Sequence, residues 1–510
     1  MQQLLAAGRE VGGSFTKITS HRFQSFQWFQ LFQSFWPEDL GASGAIRVII
    51  GREIFTTKDA KVSDQESPNF VLFVSFVVNN NLHLTENLTM ITQEENELLT
   101  QTGKGTPCGE LMRRYWQPAA LSEELAADKP LPVQLFGEEL VLFRDGDGKP
   151  ALIGRYCAHQ GVDMIYGRVE PDGLRCMYHG WLFDNCGKVV LRGEWLPEKE
   201  RRWDVGQPAY PCIEAGGVIF TYMGPGDPPV LPAYEFLTVA PENRAVTKIE
   251  VSCNYLQANE GNIDPLHLSF LHRNLQDSER DRQRVVPGSI ATPNSLITKD
   301  QTPVIEVDIT DFGLRIYTIR KPGDGQQYLR VTNYIYPNLA AFNGSTTGEG
   351  YSVHWHVPID DRSHWKYAFL FSRERALTQE LRDRIRVETT DGNHLKRNGG
   401  NRYLQDRESM VTETFSGMGF HFHAQDAFAT ESQGAMQNRS EENLVSSDKP
   451  IVAARKLLLK AIRDVAAGRE PPHILREPSA AHEPKIMVLS EVIPADANPR
   501  EYVKTLEAQR

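Results

Sequence analysis

The chain has 510 residues, 40% of them hydrophobic and 24% charged, with a formal net charge of −11. That length exceeds what one hydrophobic core usually supports, so two domains with some appended sequence are expected. The acidic balance opposes a nucleic-acid partner, and no apolar run approaches the roughly 20 residues a bilayer span needs, so neither DNA, RNA nor membrane is expected as a partner.

Six cysteines (Cys108, Cys157, Cys176, Cys186, Cys212, Cys253) are too few and too scattered for a disulfide framework. The start shows no basic stretch followed by an apolar core and a cleavage site, so a reducing cytoplasm is the expected location.

Residues 1–89 differ in texture from the rest. Phe23, Phe26, Phe29, Phe32 and Phe35 recur at every third position, a period that suits neither a helix stripe nor strand alternation, and the run Phe70 to Val78 reads as a strand without a partner. We read 1–89 as an atypical extension, disordered or belonging to a start misassigned upstream of Met90. From Met90 the pattern is ordinary: Thr92 and Glu95 make a capping box ahead of Leu98 and Leu99.

Short apolar segments broken by Gly, Pro and Asp follow (Val133 to Phe136, Leu140 to Phe143, Gly217 to Tyr222), so 90–225 reads as a helix and a small all-β domain. Gly224-Pro225-Gly226-Asp227-Pro228-Pro229 breaks helix and strand alike and marks a boundary. Beyond it, in 226–510, come a helix candidate around Asn259 to His272 and strand candidates at Ile305 to Ile309, Leu314 to Ile319, Val353 to Val357 and Trp365 to Phe371. Near the end Asp448 and Pro450 open a helix with Ile451, Leu458, Ile462 and Val465 on one side, closed by Gly468. The class expected is α+β, the larger domain an antiparallel sheet packed on helices.

Two motifs carry chemistry. Cys157-Ala158-His159 and Cys176-Met177-Tyr178-His179, sixteen residues apart, put two thiols and two imidazoles on neighbouring loops. Such a set holds either a tetrahedral zinc or a [2Fe-2S] cluster in which one iron takes the Cys pair and the other the His pair. Cys186, just beyond, reads as a free loop thiol. The second motif runs from Glu260 to His272 and sets Asp264 three residues before His267, with His272 five further on. Two imidazoles and a carboxylate make a facial triad for iron with open positions for O2. On an ideal helix a five-residue step turns the rings about 140° apart, so a helix end or distortion is expected there. Read singly, Asp264 could cap a helix and the two histidines could be satisfied core residues.

Tyr156-Cys157-Ala158-His159-Gln160-Gly161 and His179-Gly180-Trp181-Leu182-Phe183-Asp184 resemble the Rieske domain of ring-hydroxylating oxygenases. Glu260-Gly261, Asp264, His267 and Phe270-Leu271-His272-Arg273 resemble the branch of Rieske non-haem iron oxygenase alpha subunits that includes phthalate 4,5-dioxygenase. The resemblance covers about 90–468. It implies a helix-grip catalytic domain, a [2Fe-2S] cluster on Cys157, His159, Cys176 and His179, and mononuclear Fe(II) on His267, His272 and a distant carboxylate. Asp426, in Gln425-Asp426, fits that branch; Asp406, in Gln405-Asp406, is the competing choice in a charged stretch. His421 and His423 fit either a pocket or a surface role.

The resemblance also implies a ring of subunits, commonly a trimer, in which Asp264 links His179 of one subunit to His267 of the next. An NAD(P)H-dependent flavin/iron-sulfur reductase would supply electrons, since no Gly-rich dinucleotide fingerprint follows a strand here. The substrate implied is an aromatic small molecule, hydroxylated or O-demethylated with O2. A Rieske-type electron carrier and a zinc-binding structural protein are the readings from other classes; the roughly 280 residues beyond the boundary exceed a carrier's need.

Overall fold

Thr92 Oγ1 accepts the Glu95 amide at 3.1 Å and the Glu95 carboxylate accepts the Thr92 amide at 3.4 Å, so helix Gln93–Thr100 starts at the capping box. The computed structural model describes residues 47–50, 53–56, 90–191, 205–276, 286–287, 292–323, 325–343, 350–477 and 485–509. Residues 1–85 and 86–510 are separate units. In the first, Arg47–Ile50 pairs antiparallel with Glu53–Thr56. Phe23 to Phe35 and Phe70 to Val78 lie outside the described residues.

Three small antiparallel sheets occupy the stretch from Gln117 to Thr221. Gln117–Leu121 pairs with Val218–Thr221, which pairs with Cys212–Ala215. Leu131–Leu135, Glu138–Arg144, Pro150–Gly154 and Ala209–Tyr210 form the second sheet, and Arg168–Glu170, Gly173–Arg175, Leu182–Phe183 and Val189–Leu191 the third. Val141, Phe143, Ile153, Met164, Leu174 and Phe183 close a core against Cys157 and Cys176, which seats both motif loops on one apolar base.

The larger sheet has eight antiparallel strands. Its order is Arg244–Val251, His364–Phe371, Ser352–Pro358, Leu339–Phe342, Gln326–Ile335, Gly313–Gly323 and Val304–Ile309, with Leu489–Pro494 paired onto Gln326–Ile335. The four expected strands of this domain are present, each longer at one or both ends; Arg244–Val251, Gln326–Ile335, Leu339–Phe342 and Leu489–Pro494 are additions.

In the paired strands Ser352–Pro358 and His364–Phe371 the odd-numbered Val353, Trp355, Val357, Tyr367, Phe369 and Phe371 enter the main apolar core, as period-two alternation requires. Their even-numbered neighbours His354, His356, His364 and Lys366 are buried too. The main core does not stop at the Gly/Pro boundary: Phe220 packs on Trp355 with ring centroids 5.3 Å apart, and Trp116 Nε1 donates to the Pro229 carbonyl at 2.7 Å.

The helix expected from Asn259 to His272 is shorter. It spans Tyr255–Ile263 and ends where Asp264 turns extended (φ −87°, ψ 108°). Pro265 disfavours a helical residue before it, and the Asp264 carboxylate takes the Leu266 amide at 2.8 Å. His267 then opens a short 3-10 turn, His267–Ser269. The C-terminal helix, Lys449–Ala466, has Pro450 in its first turn and buries Leu458, Ile462 and Val465. Gly468, at φ +74°, follows its end.

One buried ion cluster ties these helices together. Glu260, on Tyr255–Ile263, accepts from Arg439 Nε at 3.1 Å and from Arg455 Nε at 2.6 Å, all three side chains being 7% exposed or less. Arg455 also reaches Glu442, and Arg439 reaches Asn96 of the first helix. Burial works against the Glu260 carboxylate, but the two guanidiniums outweigh it and hold its pKa below the usual 4.5.

Removing one partner from such a cluster strands charge, so Glu260→Ala is expected to cost about 3–5 kcal/mol, read as a lower denaturant midpoint. Because the folded-state pKa is depressed, this contribution is complete above about pH 4.5 and fades as the pH falls further. The gap between variant and parent should narrow over that acid range.

Candidate functional site

The two Cys/His loops are built alike. Cys157 donates its amide to Val162 O and accepts the Gly161 amide; Cys176 donates to Trp181 O and accepts the Gly180 amide. Gly161 and Gly180 sit at φ +73° and +72°, a left-handed turn that suits glycine in each loop. The tight turns set the residue types at different depths. Cys157 and Cys176 are 4% and 2% exposed, while His159 is exposed and His179 half-buried, their ring centroids 4.6 Å apart. The two thiols thus sit at the inner end and the two imidazoles at the outer end.

Trp181 stacks on His159 at 4.7 Å. Burial and the neighbouring Cys176 push the Cys157 thiol up to about 11, so a thiolate there needs a cation beside it. Cys186 is exposed and free.

The second centre joins two distant segments. Asp264 ends one helix; His267 and His272 follow on the irregular turn, which buried Arg320 pins by donating to Pro265 O at 3.3 Å and Ser269 Oγ at 3.1 Å. Helix Phe422–Glu431 brings Asp426 to them. Ligand atoms of His267, His272 and Asp426 all lie within 4.8 Å of one another, and His272 Nε2 is 3.0 Å from Asp426 Oδ1. Two donors at right angles, each roughly 2.1 Å from a metal, are about 3 Å apart, so this spacing suits a shared ion.

Both rings have their outer nitrogen occupied. His267 Nδ1–H donates to the Asp264 carbonyl and His272 Nδ1–H to Gln425 Oε1, each at 2.5 Å, which directs both Nε2 lone pairs inward. Burial and His272 push the His267 pKa down, favouring the neutral, ligating form. Asp406, by contrast, accepts the Glu408 and Ser409 amides in a turn and is in neither three-residue group found among the described residues.

Several residues of this centre were not singled out in the sequence. Lys366 Nζ lies 3.3 Å from Asp426 Oδ2. Although burial opposes ionisation of Asp426, Lys366 and His272 hold its pKa well below the carboxylate range.

Behind the site a chain of hydrogen bonds has a forced direction. His364 Nδ1–H must donate to the Cys253 carbonyl, so His364 Nε2 accepts from His356 Nδ1–H, and His356 Nε2 accepts from the Asn262 amide. Asn262 Oδ1 then accepts His354 Nδ1–H at 2.8 Å. Burial pushes all three rings well down the pKa scale, His364 to about 4, so each holds a single ring proton. The chain ends on a main-chain carbonyl and fixes tautomers. His423 is buried beside the metal set, whereas half-buried His421 donates to the Arg386 carbonyl at 2.8 Å. A cavity of about 170 Å³ touches His267, Asp426, Lys366, Val251 and Leu271.

Residues 115–198 match the Rieske [2Fe-2S] domain, and residues 221–509, more than half the chain, match the family described as LigXa C-terminal domain like. The phthalate 4,5-dioxygenase oxygenase subunit of Pseudomonas putida is 34% identical over 74% of this chain and 88% of its own length. The chain belongs to the Rieske non-haem iron oxygenases.

The 5,5'-dehydrodivanillate O-demethylase oxygenase subunit of a Sphingobium species is 31% identical over 76% of this chain and 85% of its own length. The 3-chlorobenzoate-3,4-dioxygenase oxygenase subunit of Comamonas testosteroni is 33% identical over 76% of this chain and 92% of its own length. Rieske oxygenases are oxidoreductases that carry a [2Fe-2S] cluster and a mononuclear iron, and NAD(P)H reaches them through a reductase partner. Both donor sets fit those groups: paired thiols and paired imidazoles for the cluster, two neutral imidazoles and a carboxylate for the single iron. No helix among the described residues is long and apolar enough to cross a membrane.

Asp426→Ala is expected to lose the mononuclear iron while leaving the cluster's visible spectrum unchanged, and Asp406→Ala to retain both. Iron analysis beside the absorption spectrum checks the pair, and loss of mononuclear iron from the Asp406 variant would contradict the assignment.

Proposed function

We propose that Cys157, His159, Cys176 and His179 hold the cluster, that His267, His272 and Asp426 hold the iron, and that the enzyme oxygenates an aromatic acid or aryl ether. The observation that carries the iron assignment is the convergence of three donors from segments far apart in sequence, with both imidazoles turned Nε2-inward. Iron held this way supplies the binding and reduction of O2 beside substrate.

The protein's own part is geometric. Gln425 and the Asp264 carbonyl orient the two rings, and Lys366 holds the second oxygen of Asp426. A volume of about 150 Å³ is enough for one benzene ring, so the cavity's 170 Å³ leaves room for a single small aromatic group, beside a lining that includes the charged Lys366, Asp426 and Arg455. The relatives' names, phthalate, chlorobenzoate and dehydrodivanillate, point the same way.

Electrons arrive singly from an NAD(P)H-dependent reductase or its iron-sulfur carrier in the cytoplasm. The assembly proposed is a homotrimer in which Asp264 joins His179 of one subunit to His267 of the next, and the exposure of His159 would leave a cluster held there within reach of a neighbour. Asp264 suits that role because its side chain remains 25% exposed at the edge of the site.

Purified protein reconstituted with iron and sulfide should contain about three irons per chain, two of them with acid-labile sulfide, and consume O2 with some member of a panel of aromatic acids and aryl ethers. A single metal without sulfide would sink this reading. Asp264→Asn should keep both iron signals by electron paramagnetic resonance yet lose steady-state turnover, and normal turnover would remove Asp264 from the electron path.

A further inference from the structure

Asp426 is shared between two sets of ligands. Besides His267 and His272, it lies within 4.8 Å of ligand nitrogens on His354 and His423, so two groups of two imidazoles and a carboxylate overlap at one residue. Both additional rings can take a ligand. His354 Nδ1–H is committed to Asn262, which leaves Nε2 as a free lone pair. His423 is 7% exposed, and its Nδ1 is buried without a hydrogen-bond partner. An unsatisfied buried nitrogen is uncommon in a folded protein and calls for an explanation at the site where it lies.

One group distinguishes the two sets. Asp426 Oδ1 faces His272 at 3.0 Å, whereas Oδ2 is 3.3 Å from the Lys366 ammonium, whose side chain is 3% exposed. A divalent ion seeking Oδ2 would share that oxygen with a buried positive charge. An ion on Oδ1, the oxygen that faces His272, avoids that direct competition, so repulsion falls more heavily on any ion that must use Oδ2.

Resting on the assignment of His267, His272 and Asp426 as metal ligands, we propose that Lys366 selects between the sets. Its ammonium already engages Asp426 Oδ2 at 3.3 Å, which directs a divalent transition ion to Oδ1 with His267 and His272 and keeps a latent second site on His354, His423 and Asp426 closed. Lys366 is on this account a positioning residue, acting on the ion through Asp426.

The test uses the full chain with its cluster in place, freed of mononuclear iron and dialysed against Co(II), with cobalt counted per chain and its visible absorption recorded. The parent protein and Lys366→Arg, which keeps the charge, should take about one cobalt, and Lys366→Met about two with a changed cobalt spectrum. Adding His354→Ala to Lys366→Met should restore about one. An unchanged far-ultraviolet circular dichroism spectrum and a single cooperative thermal transition report that the catalytic domain of each variant is folded.

One cobalt with the parent's spectrum in Lys366→Met would overturn the selector role alone. Two cobalts retained in the double variant would place the additional ion elsewhere and likewise overturn it. No cobalt in the parent would overturn the underlying ligand assignment together with the selector.

Discussion

The hydrogen bond from His272 to Gln425 spans 153 residues of sequence and joins the two halves of the proposed metal centre. An imidazole offers a directed lone pair only when its other nitrogen is engaged, so ring orientation has to be supplied by the second segment. Gln425 is itself fixed by donating to the Gly419 carbonyl. Its neighbour Asp426 therefore arrives at the site on a helix whose position is already tied to His272. The loop on the other side is held as firmly: Arg320 anchors Pro265 and Ser269 to the sheet, and Glu260 anchors the preceding helix to Arg439 and Arg455.

This arrangement accounts for an unusual sheet face. Alternation in Ser352–Pro358 and His364–Phe371 sends aromatic and aliphatic side chains to the apolar core, and the opposite face carries His354, His356, His364 and Lys366. That face is covered rather than solvated, because helices Tyr255–Ile263 and Phe422–Glu431 belong to the same site. Burying such groups is tolerable when each polar atom is paired, and the run from the Cys253 carbonyl through His364 and His356 to Asn262 supplies partners in a single consistent direction. Neutral rings there lessen the positive charge around the one ammonium and the metal.

The electron-storing end follows a different logic. The Cys and His residues proposed as its ligands come from two short loops of matching backbone geometry, set on a core that includes Val141, Phe143 and Phe183. Local sequence contains nearly everything needed for that arrangement: two Cys, two His and the glycines that close each turn. The apolar base keeps sulfur buried, and the stagger between Cys and His within each loop brings the imidazoles outward. The oxygen-handling end, by contrast, combines a helix terminus, a sheet face and a helix from late in the chain.

That contrast marks what the amino-acid sequence determined alone. Spacing within each motif, the capping box at Thr92, the break at Pro265 and the alternation of the sheet strands are short-range properties, and each could be read from a window of a few residues. The strands Arg244–Val251 and Gln326–Ile335 were less legible, since polar Lys248, Gln327, Arg330 and Asn333 are buried within them and blur the alternation. The partner of the histidine pair was narrower still. Asp406 and Asp426 both follow a glutamine, and only packing puts one of them 3.0 Å from His272 and the other in a local turn. Lys366 and the buried His354, His356 and His364 had no local signature, because what matters about them is the burial and hydrogen-bond direction that distant segments impose, and those exist only once the sheet and both helices have closed.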